Sequence, residues 1–214
     1  MADLEAIRDH YESELTRSEY GAQRVGWRDE SAQSSRFECI VRLFDGYEIS
    51  SVSDLGCGRG DFLKYLRDRG WFGPYVGTDI SHKMIAEAAS RFKHDTKAEF
   101  VMSDVPRRAD YLVASGIFNV SLDSETQMWR AYCEELIRRM WESAEQGIVF
   151  NMLSTDSNLE RRKSSLSYAN PSELLEFVRR ELSTTVRLDQ SYGQFDFTIA
   201  VFRSACPTSK IETA

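Results

Sequence analysis

The chain has 214 residues and a net charge of −7, with 42% hydrophobic and 29% charged residues. This length suits one domain with a substantial core, and the acidic balance argues against a nucleic-acid-binding surface, which would be basic. The sequence contains neither an apolar run of about 18 residues nor a signal-peptide core, so we expect no membrane span and no secretion.

Two amphipathic helices are predicted at the N-terminus, over about 2–20 and 31–45. In each, apolar residues recur at helical spacing and a glycine follows the end of the helix.

The following residues alternate between strands and helices. Strands are predicted near 51–55, 75–79, 98–102, 111–115 and 147–152. Helices are predicted near 61–69, 82–92, 124–143 and 171–181. Two further β-rich runs, 184–188 and 195–203, predict a closing hairpin. Such alternation implies a parallel sheet with helices on both faces.

One connection in this scheme is short. Only about eight residues join the third strand to the fourth, whereas a parallel crossover usually takes a dozen or more. Pro106 and the pair Arg107–Arg108 leave no room for a full helix. Either this crossover is a stretched loop, or the predicted boundaries are wrong by several residues.

The segment 52–62 is the most informative part of the chain. An apolar/polar alternation leads into glycines at 56, 58 and 60 and then into an amphipathic segment, which predicts a strand, a tight turn and a helix. A dinucleotide site reads G-x-G-x-x-G and seats a pyrophosphate at the helix start. Here the third glycine comes one place early, and Asp61 would repel a pyrophosphate. A phosphate-free cofactor with a positive centre, such as S-adenosylmethionine (SAM), fits better.

Four segments carry a resemblance to a known family. Asp54–Gly60, with the sequence DLGCGRG, resembles the first motif of class I SAM-dependent methyltransferases. Residues 75–81, 100–105 and 109–116 resemble the second, third and fourth motifs, in the family's order. The resemblance covers about residues 50–150 and is to the small stand-alone bacterial enzymes that act on small molecules.

The resemblance implies an α/β fold: a Rossmann-like, seven-stranded, mostly parallel sheet with one antiparallel strand, helices on both faces and an N-terminal helical extension. Residues 1–46 would form a helical cap or lid, and 47–204 the SAM-binding core. Within that core, 153–170 would be a substrate-side loop, and 205–214 would be a tail. SAM would be the cofactor and S-adenosylhomocysteine (SAH) the product.

Three charged residues are candidates for holding the cofactor. Asp79 ends the second strand, where a carboxylate can accept both ribose hydroxyls; the alternative role, capping the next helix, is served at least as well by Ser81. Asp104 can accept the adenine amino group while the Val105 amide donates to the ring, or Asp104 is a plain turn residue. Arg36 can pair with the methionyl carboxylate or lie on a solvated helix face.

The full set of predicted cofactor-binding residues is Asp54, Gly56, Cys57, Gly58, Gly60, Phe62, Asp79, Ile80, Met84, Ser103, Asp104, Val105, Ser115, Gly116 and Arg36.

The methyl acceptor would lie beyond the fourth and fifth strands. Asn119, Tyr168 and Tyr20 are the candidate catalytic residues, expected to orient the acceptor, and no general base is identified. The triplet Arg161–Lys163 either meets an anionic group of the acceptor or forms a solvated basic turn. The acidic residues show no metal-ligand pattern.

The predicted function is therefore SAM-dependent methyl transfer to a small-molecule acceptor, at oxygen or nitrogen, in which positioning dominates. A nicotinamide-dependent oxidoreductase on a Rossmann-type sheet and a non-catalytic SAM-binding protein are the alternatives. Four scattered cysteines without a C-x-x-C pair favour reduced thiols in the cytoplasm. The resemblance points to biosynthesis of a metabolite, with no nucleic-acid or membrane partner, and the oligomeric state stays open.

Overall fold

The computed structural model describes residues 3–17, 30–122, 126–193 and 195–206. Its helices are α1 (Leu4–Arg17), α2 (Glu30–Leu43), α3 (Asp61–Asp68), α4 (His82–Arg91), α5 (Thr126–Ser143) and α6 (Pro171–Glu181), with a short 3₁₀ helix at Leu159–Arg161. Its strands are β1 (Val52–Leu55), β2 (Tyr75–Asp79), β3 (Ala98–Met102), β4 (Ala109–Ala114), β5 (Ala144–Leu153), β6 (Thr185–Asp189) and β7 (Asp196–Phe202). Each predicted element appears, with its ends shifted by at most three residues.

The strands form one sheet in the order β3-β2-β1-β4-β5-β7-β6. Strands β1 to β5 pair in parallel, and β7 lies antiparallel between β5 and β6. The expected seven-stranded sheet with one antiparallel strand is therefore confirmed. In this order the carboxyl ends of β1, β2 and β4 meet at one edge, which is where open α/β sheets bind ligands.

The two faces of the sheet carry separate apolar clusters. Leu112 and Ile148 pack on the face covered by α1, α5 and α6. Their neighbours Val113 and Val149 pack on the opposite face with α2 and α3. This alternation follows from the period of two along a strand. It confirms the expected helices on both faces.

The short crossover from β3 to β4 is a stretched loop. Residues 103–108 contain no helix, and β4 begins two residues earlier than predicted. A chain extending by roughly 3.3–3.6 Å per residue is long enough to cross from the sheet edge to the far side of β1. Pro106 is buried along this path.

Described residues near both ends of the chain pack against the core. The apolar face of α2, including Phe37 and Ile40, belongs to the core itself, whereas α1 contributes Ile7 to the cluster on the other face. The Cys206 thiol donates to the Gly46 carbonyl at 3.1 Å, so the C-terminal segment stays against the core at least to this residue. Residues 207–214 lie outside the described part. Within the described ranges, no helix has the length and apolar character needed to cross a membrane.

Candidate cofactor and acceptor site

The turn between β1 and α3 is bent by three glycines with positive φ: Gly56 at 74°, Gly58 at 53° and Gly60 at 75°. Residues with a Cβ rarely take this conformation. The N–H groups of Gly56 and Cys57 both donate to the Thr78 carbonyl of β2, at 2.7 and 2.9 Å. These bonds hold the turn against β2 and bring the two strand ends together.

Asp79 stands at the end of β2 and braces the same turn. Its Oδ2 accepts the Gly58 N–H at 2.9 Å, and its Oδ1 accepts the Ser81 N–H at 2.8 Å. Burial raises the pKa of Asp79, although these backbone donors oppose the shift. The cap of α4 is Ser81, whose Oγ accepts the Met84 N–H. Asp79 is therefore not needed as the helix cap, and each of its oxygens retains accepting capacity for a hydroxyl.

Asp54 lies behind the turn in β1 and is almost fully buried. The Tyr75 hydroxyl donates to its Oδ2. Burial raises the pKa of Asp54 to about 7, with smaller contributions from the charges of Asp79 and Asp61, while the Tyr75 bond opposes the rise. Near neutral pH this carboxyl therefore holds a proton in a substantial fraction of molecules.

Replacing Asp54 by asparagine is expected to remove a pH dependence of stability. The carboxyl ionises near 3.8 when unperturbed and near 7 in the folded protein. The folded state therefore binds the proton more tightly than the unfolded state does. The stabilisation that this bound proton provides is complete below about pH 4 and is lost as the pH rises to about 7.

Thermal unfolding of the ligand-free protein measures this effect. The stability of the wild type relative to Asp54→Asn should fall with rising pH across this interval and then level off. Unfolding curves that stay parallel at every pH would contradict a proton held on Asp54.

Asp61 differs from its expected role at the start of α3. Its Oδ1 pairs with Arg91 at 2.6 Å and with Arg59 at 3.4 Å. The carboxylate is therefore neutralised by two guanidinium groups, one of them 30 positions later in the chain. These pairs weaken the repulsion that Asp61 would exert on a pyrophosphate, so this residue discriminates less strongly between a dinucleotide and SAM than its sequence position suggests.

Helix α1 covers the cofactor side of the site. Glu12 accepts the Ser81 hydroxyl at 2.8 Å and pairs with Lys83 at 2.9 Å, which fixes α1 to the start of α4. Tyr11 also lines this side of the site, and burial, with a smaller contribution from the charge of Asp79, raises the pKa of its hydroxyl.

A cavity of about 520 Å³ runs from the glycine turn to the end of β5. Ligand sites commonly measure roughly 300–1,000 Å³. The predicted residues that line it are Asp54, Gly56, Cys57, Gly58, Phe62, Asp79, Ile80, Met84, Ser103, Asp104, Ser115, Gly116, Arg36, Asn119 and Tyr168. Within the described ranges, no cluster of three or more His, Cys, Asp or Glu side chains can hold a metal ion.

Two predicted cofactor residues do not line this cavity. A Cβ on Gly60 would come 2.8 Å from the Phe92 ring and 3.2 Å from Phe100, so Gly60 is needed for packing under the turn. The Val105 N–H donates to Ser103 Oγ at 3.0 Å, which occupies the donor that was predicted to reach the adenine ring. The structure therefore does not support a cofactor contact for either residue.

Arg36 lines the cavity but is already engaged. Its Nε donates to Asp196 Oδ2, and its Nη1 donates to the Ala32 carbonyl at 2.7 Å. The predicted pairing with the methionyl carboxylate stays a prediction, and the solvated alternative is wrong because Arg36 is buried.

The acceptor side of the cavity is built around Asn119. Its Oδ1 accepts the Leu153 N–H at 3.0 Å and its backbone carbonyl accepts the Ser167 N–H at 2.8 Å. These bonds join the end of β5 to the loop that carries Tyr168. The Tyr168 hydroxyl accepts the Lys163 N–H at 3.0 Å and keeps its own proton for donation. Tyr20, the third candidate, lies outside the described residues.

Sequence reasoning missed several residues of this cavity. Asp196 was not singled out, whereas Tyr11 was considered both for the apolar stripe of α1 and as an aromatic lid residue. One signal for Asp196 was available, since a carboxylate that interrupts the apolar run from Phe195 to Phe202 is unusual in a buried strand. Trp129 and Tyr132 were assigned to the apolar face of α5, and both also line the cavity.

Comparisons with known proteins decide the family. A family model described as a methyltransferase domain matches residues 52–147. The curated protein "Putative methyltransferase Rv1506c" of Mycobacterium tuberculosis strain H37Rv is 37% identical over 166 residues, covering 77% of this chain and 100% of that protein. This chain belongs to the class I SAM-dependent methyltransferases.

Solved structures show the same fold as this methyltransferase. Magnesium protoporphyrin IX methyltransferase from Synechocystis PCC 6803 with bound SAH matches with a TM-score of 0.67 and 15% identity, over 94% of this chain and 100% of that one. N-methyltransferase NodS from Bradyrhizobium japonicum WM9 with SAH matches with a TM-score of 0.63 and 18% identity, over 91% and 96%.

The cofactor of this methyltransferase is SAM, and the residues of the cavity fit it. Three glycines with positive φ open the turn, and the Asp79 carboxylate retains accepting capacity for hydroxyl donors such as those of a ribose. Asp104 is exposed at the cavity edge, where it is accessible to an amino donor. The family assignment displaces the nicotinamide-dependent alternative.

Proposed function

We infer that this methyltransferase transfers the SAM methyl group to a small-molecule acceptor, at oxygen or nitrogen. The observation that carries this proposal is the single cavity that contains both the glycine turn and the acceptor-side residues Asn119 and Tyr168. A cavity volume of about 520 Å³ favours a compact acceptor over a macromolecular one. The acidic net charge of −7 also argues against a nucleic-acid substrate.

Positioning supplies most of the rate acceleration in this proposal. Bound SAM provides a methyl group that is already electrophilic, so the protein has to align the acceptor and exclude water. Proximity and orientation can lower a barrier by about 7–11 kcal/mol. Asn119 and Tyr168 both line the cavity and would align the acceptor.

Each of these side chains offers a hydrogen-bond donor group to the acceptor. Because Asn119 Oδ1 is occupied by Leu153, its Nδ2 group is the part that can orient an acceptor. The Tyr168 hydroxyl is held by the Lys163 N–H and by its position beside Arg162, whose guanidinium lies 5.3 Å from the ring centroid.

An anionic group on the acceptor would meet Lys163. Of the basic triplet, Arg162 bonds to the Thr155 and Ser157 carbonyls of its own loop, whereas Lys163 lines the cavity. Of the two described side chains of the triplet, Lys163 is therefore the one that can contact the acceptor. The four cysteines all lie in the described ranges and form no disulfide there, which supports a cytoplasmic location.

Release of SAH from SAM in the presence of a panel of small acceptors tests the proposed function. The panel pairs phenols and amines with analogues that also carry a carboxylate. We expect SAH release with some members, and Lys163→Gln should raise KM about twofold to fivefold for the carboxylates alone, as expected for an exposed charge pair.

The matched control is Lys93→Gln, which neutralises an exposed lysine away from the cavity. An unchanged KM for carboxylate acceptors in Lys163→Gln would rule out a contact between Lys163 and an anionic group of the acceptor. SAM binding without SAH release across a broad panel would contradict a small-molecule acceptor.

A further inference from the structure

Asp196 is a buried carboxylate in the wall of the acceptor side. It is the first residue of β7, and its side chain is 0% exposed. In the antiparallel register Asp196 faces Leu153, whose N–H donates to Asn119 Oδ1. Asp196 and Asn119 are therefore both placed by the end of β5, and both line the cavity.

The two oxygens of this carboxylate differ in their partners. Oδ2 accepts from Arg36 Nε, whereas Oδ1 is buried and has no hydrogen-bond partner among the described residues. Buried polar atoms are almost always paired, because an unpaired one loses its hydration without compensation. An unpaired, ionisable oxygen on a residue that lines a ligand cavity therefore indicates a missing donor.

The pairing with Arg36 determines which donor suits this oxygen. The ion pair has no net charge, so Oδ1 needs a hydrogen bond and not a second cation. The surrounding wall contains Phe37 and Phe195, which favour an aromatic or otherwise apolar body. A neutral aromatic molecule with an O–H or N–H group combines both properties.

We propose that Asp196 binds the methyl acceptor, with Oδ1 accepting a hydrogen bond from a hydroxyl or amine N–H on an apolar or aromatic acceptor. This inference rests on the proposed function, because it requires a small molecule in the acceptor side of the cavity. Asp196 would select acceptors, since a site built around a hydrogen bond rejects analogues that lack the donor.

Matched fragments provide the test. Phenol and anisole differ in the O–H donor, as aniline and N,N-dimethylaniline differ in the N–H donor. Binding of each fragment to the SAH complex is measured by ligand-observed NMR titration. We expect the donor-bearing member of each pair to bind about tenfold to a hundredfold more tightly, the usual effect of a hydrogen bond to a charged group.

Asp196→Asn should remove this preference. The asparagine oxygen can still accept from Arg36. Its NH₂ group then occupies the position of Oδ1 and cannot accept a hydrogen bond from the fragment's O–H or N–H. Asp189→Asn is the control. Asp189 pairs at 2.6 Å with Arg42, which lies on α2 as Arg36 does, and Asp189 does not line the cavity.

The outcomes separate the two proposals. Equal binding of phenol and anisole to the wild-type SAH complex overturns the role of Asp196, whether or not the variant folds, and indicates that only water satisfies Oδ1. A preference that persists in Asp196→Asn overturns it as well. SAH binding by calorimetry is measured separately, so a failure of the cofactor site is distinguished from a failure of this inference.

Discussion

Replacing Asp79 by alanine should lower the affinity for SAM and SAH by at least about 100-fold. A hydrogen bond to a charged group contributes about 1.5–3 kcal/mol, and the carboxylate has room for two hydroxyl donors. The same change removes the acceptors of the Gly58 and Ser81 N–H groups, so the glycine turn also loses its brace. Isothermal titration calorimetry with both ligands measures the effect.

A matched carboxylate elsewhere provides the control for this variant. Asp95 also accepts a backbone N–H, from Lys97 at 3.0 Å, and pairs with Arg67 at 2.7 Å, and it does not line the cavity. Asp95→Ala should leave SAM affinity unchanged within about threefold. Equal affinities in wild type and a folded Asp79→Ala protein would remove Asp79 from the cofactor site.

Gly56→Ala should both destabilise the fold and abolish SAM binding. A Cβ at this position would lie 2.1 Å from Ile117 Cγ2, and Gly56 has a φ of +74°. The left-handed conformation alone costs roughly 1–2 kcal/mol. We expect a total loss of about 3 kcal/mol or more, because the overlap adds to the backbone strain. Denaturant unfolding measures the first effect, and calorimetry with SAM measures the second.

Two further variants separate the strain from the overlap. Gly70 has a φ of +83°, and no atom lies within 4 Å of the position that a Cβ would take there, so Gly70→Ala should show the backbone cost alone and keep SAM binding. Adding Ile117→Ala to Gly56→Ala removes the overlapping methyl group and should recover part of the stability, relative to Ile117→Ala by itself. A Gly56→Ala protein as stable as Gly70→Ala would contradict the close approach.

The sequence predicted those features of the fold that depend on neighbours in the chain. The alternation around Val52–Leu55, the glycines after it and the amphipathic segment from Asp61 determine a strand, turn and helix through local sterics and hydrophobic period. The resemblance then placed Asp79 and Asp104 at strand ends, where both line the cavity. The acceptor candidates Asn119 and Tyr168 also line it.

Contacts between distant segments limited the other predictions. Asp61 looked like an unpaired charge, because its partner Arg91 comes from another helix. The Val105 amide is a local exception, because it looked available but donates to Ser103 Oγ only two residues earlier. Arg36 looked equally suited to solvent and to the cofactor, since its partner Asp196 is 160 positions away.

The sequence by itself determined the order of strands and helices, the glycine turn and the nature of the cofactor, because these follow from local conformation and from motifs of contiguous residues. Only the tertiary structure decided which charges are neutralised, how α1 is fixed over the site through Glu12 and Ser81, and that the Asp196 Oδ1 atom has no partner among the described residues. The physical reason is that desolvation and hydrogen bonding depend on distances between side chains, and folding sets those distances between segments that the sequence keeps far apart.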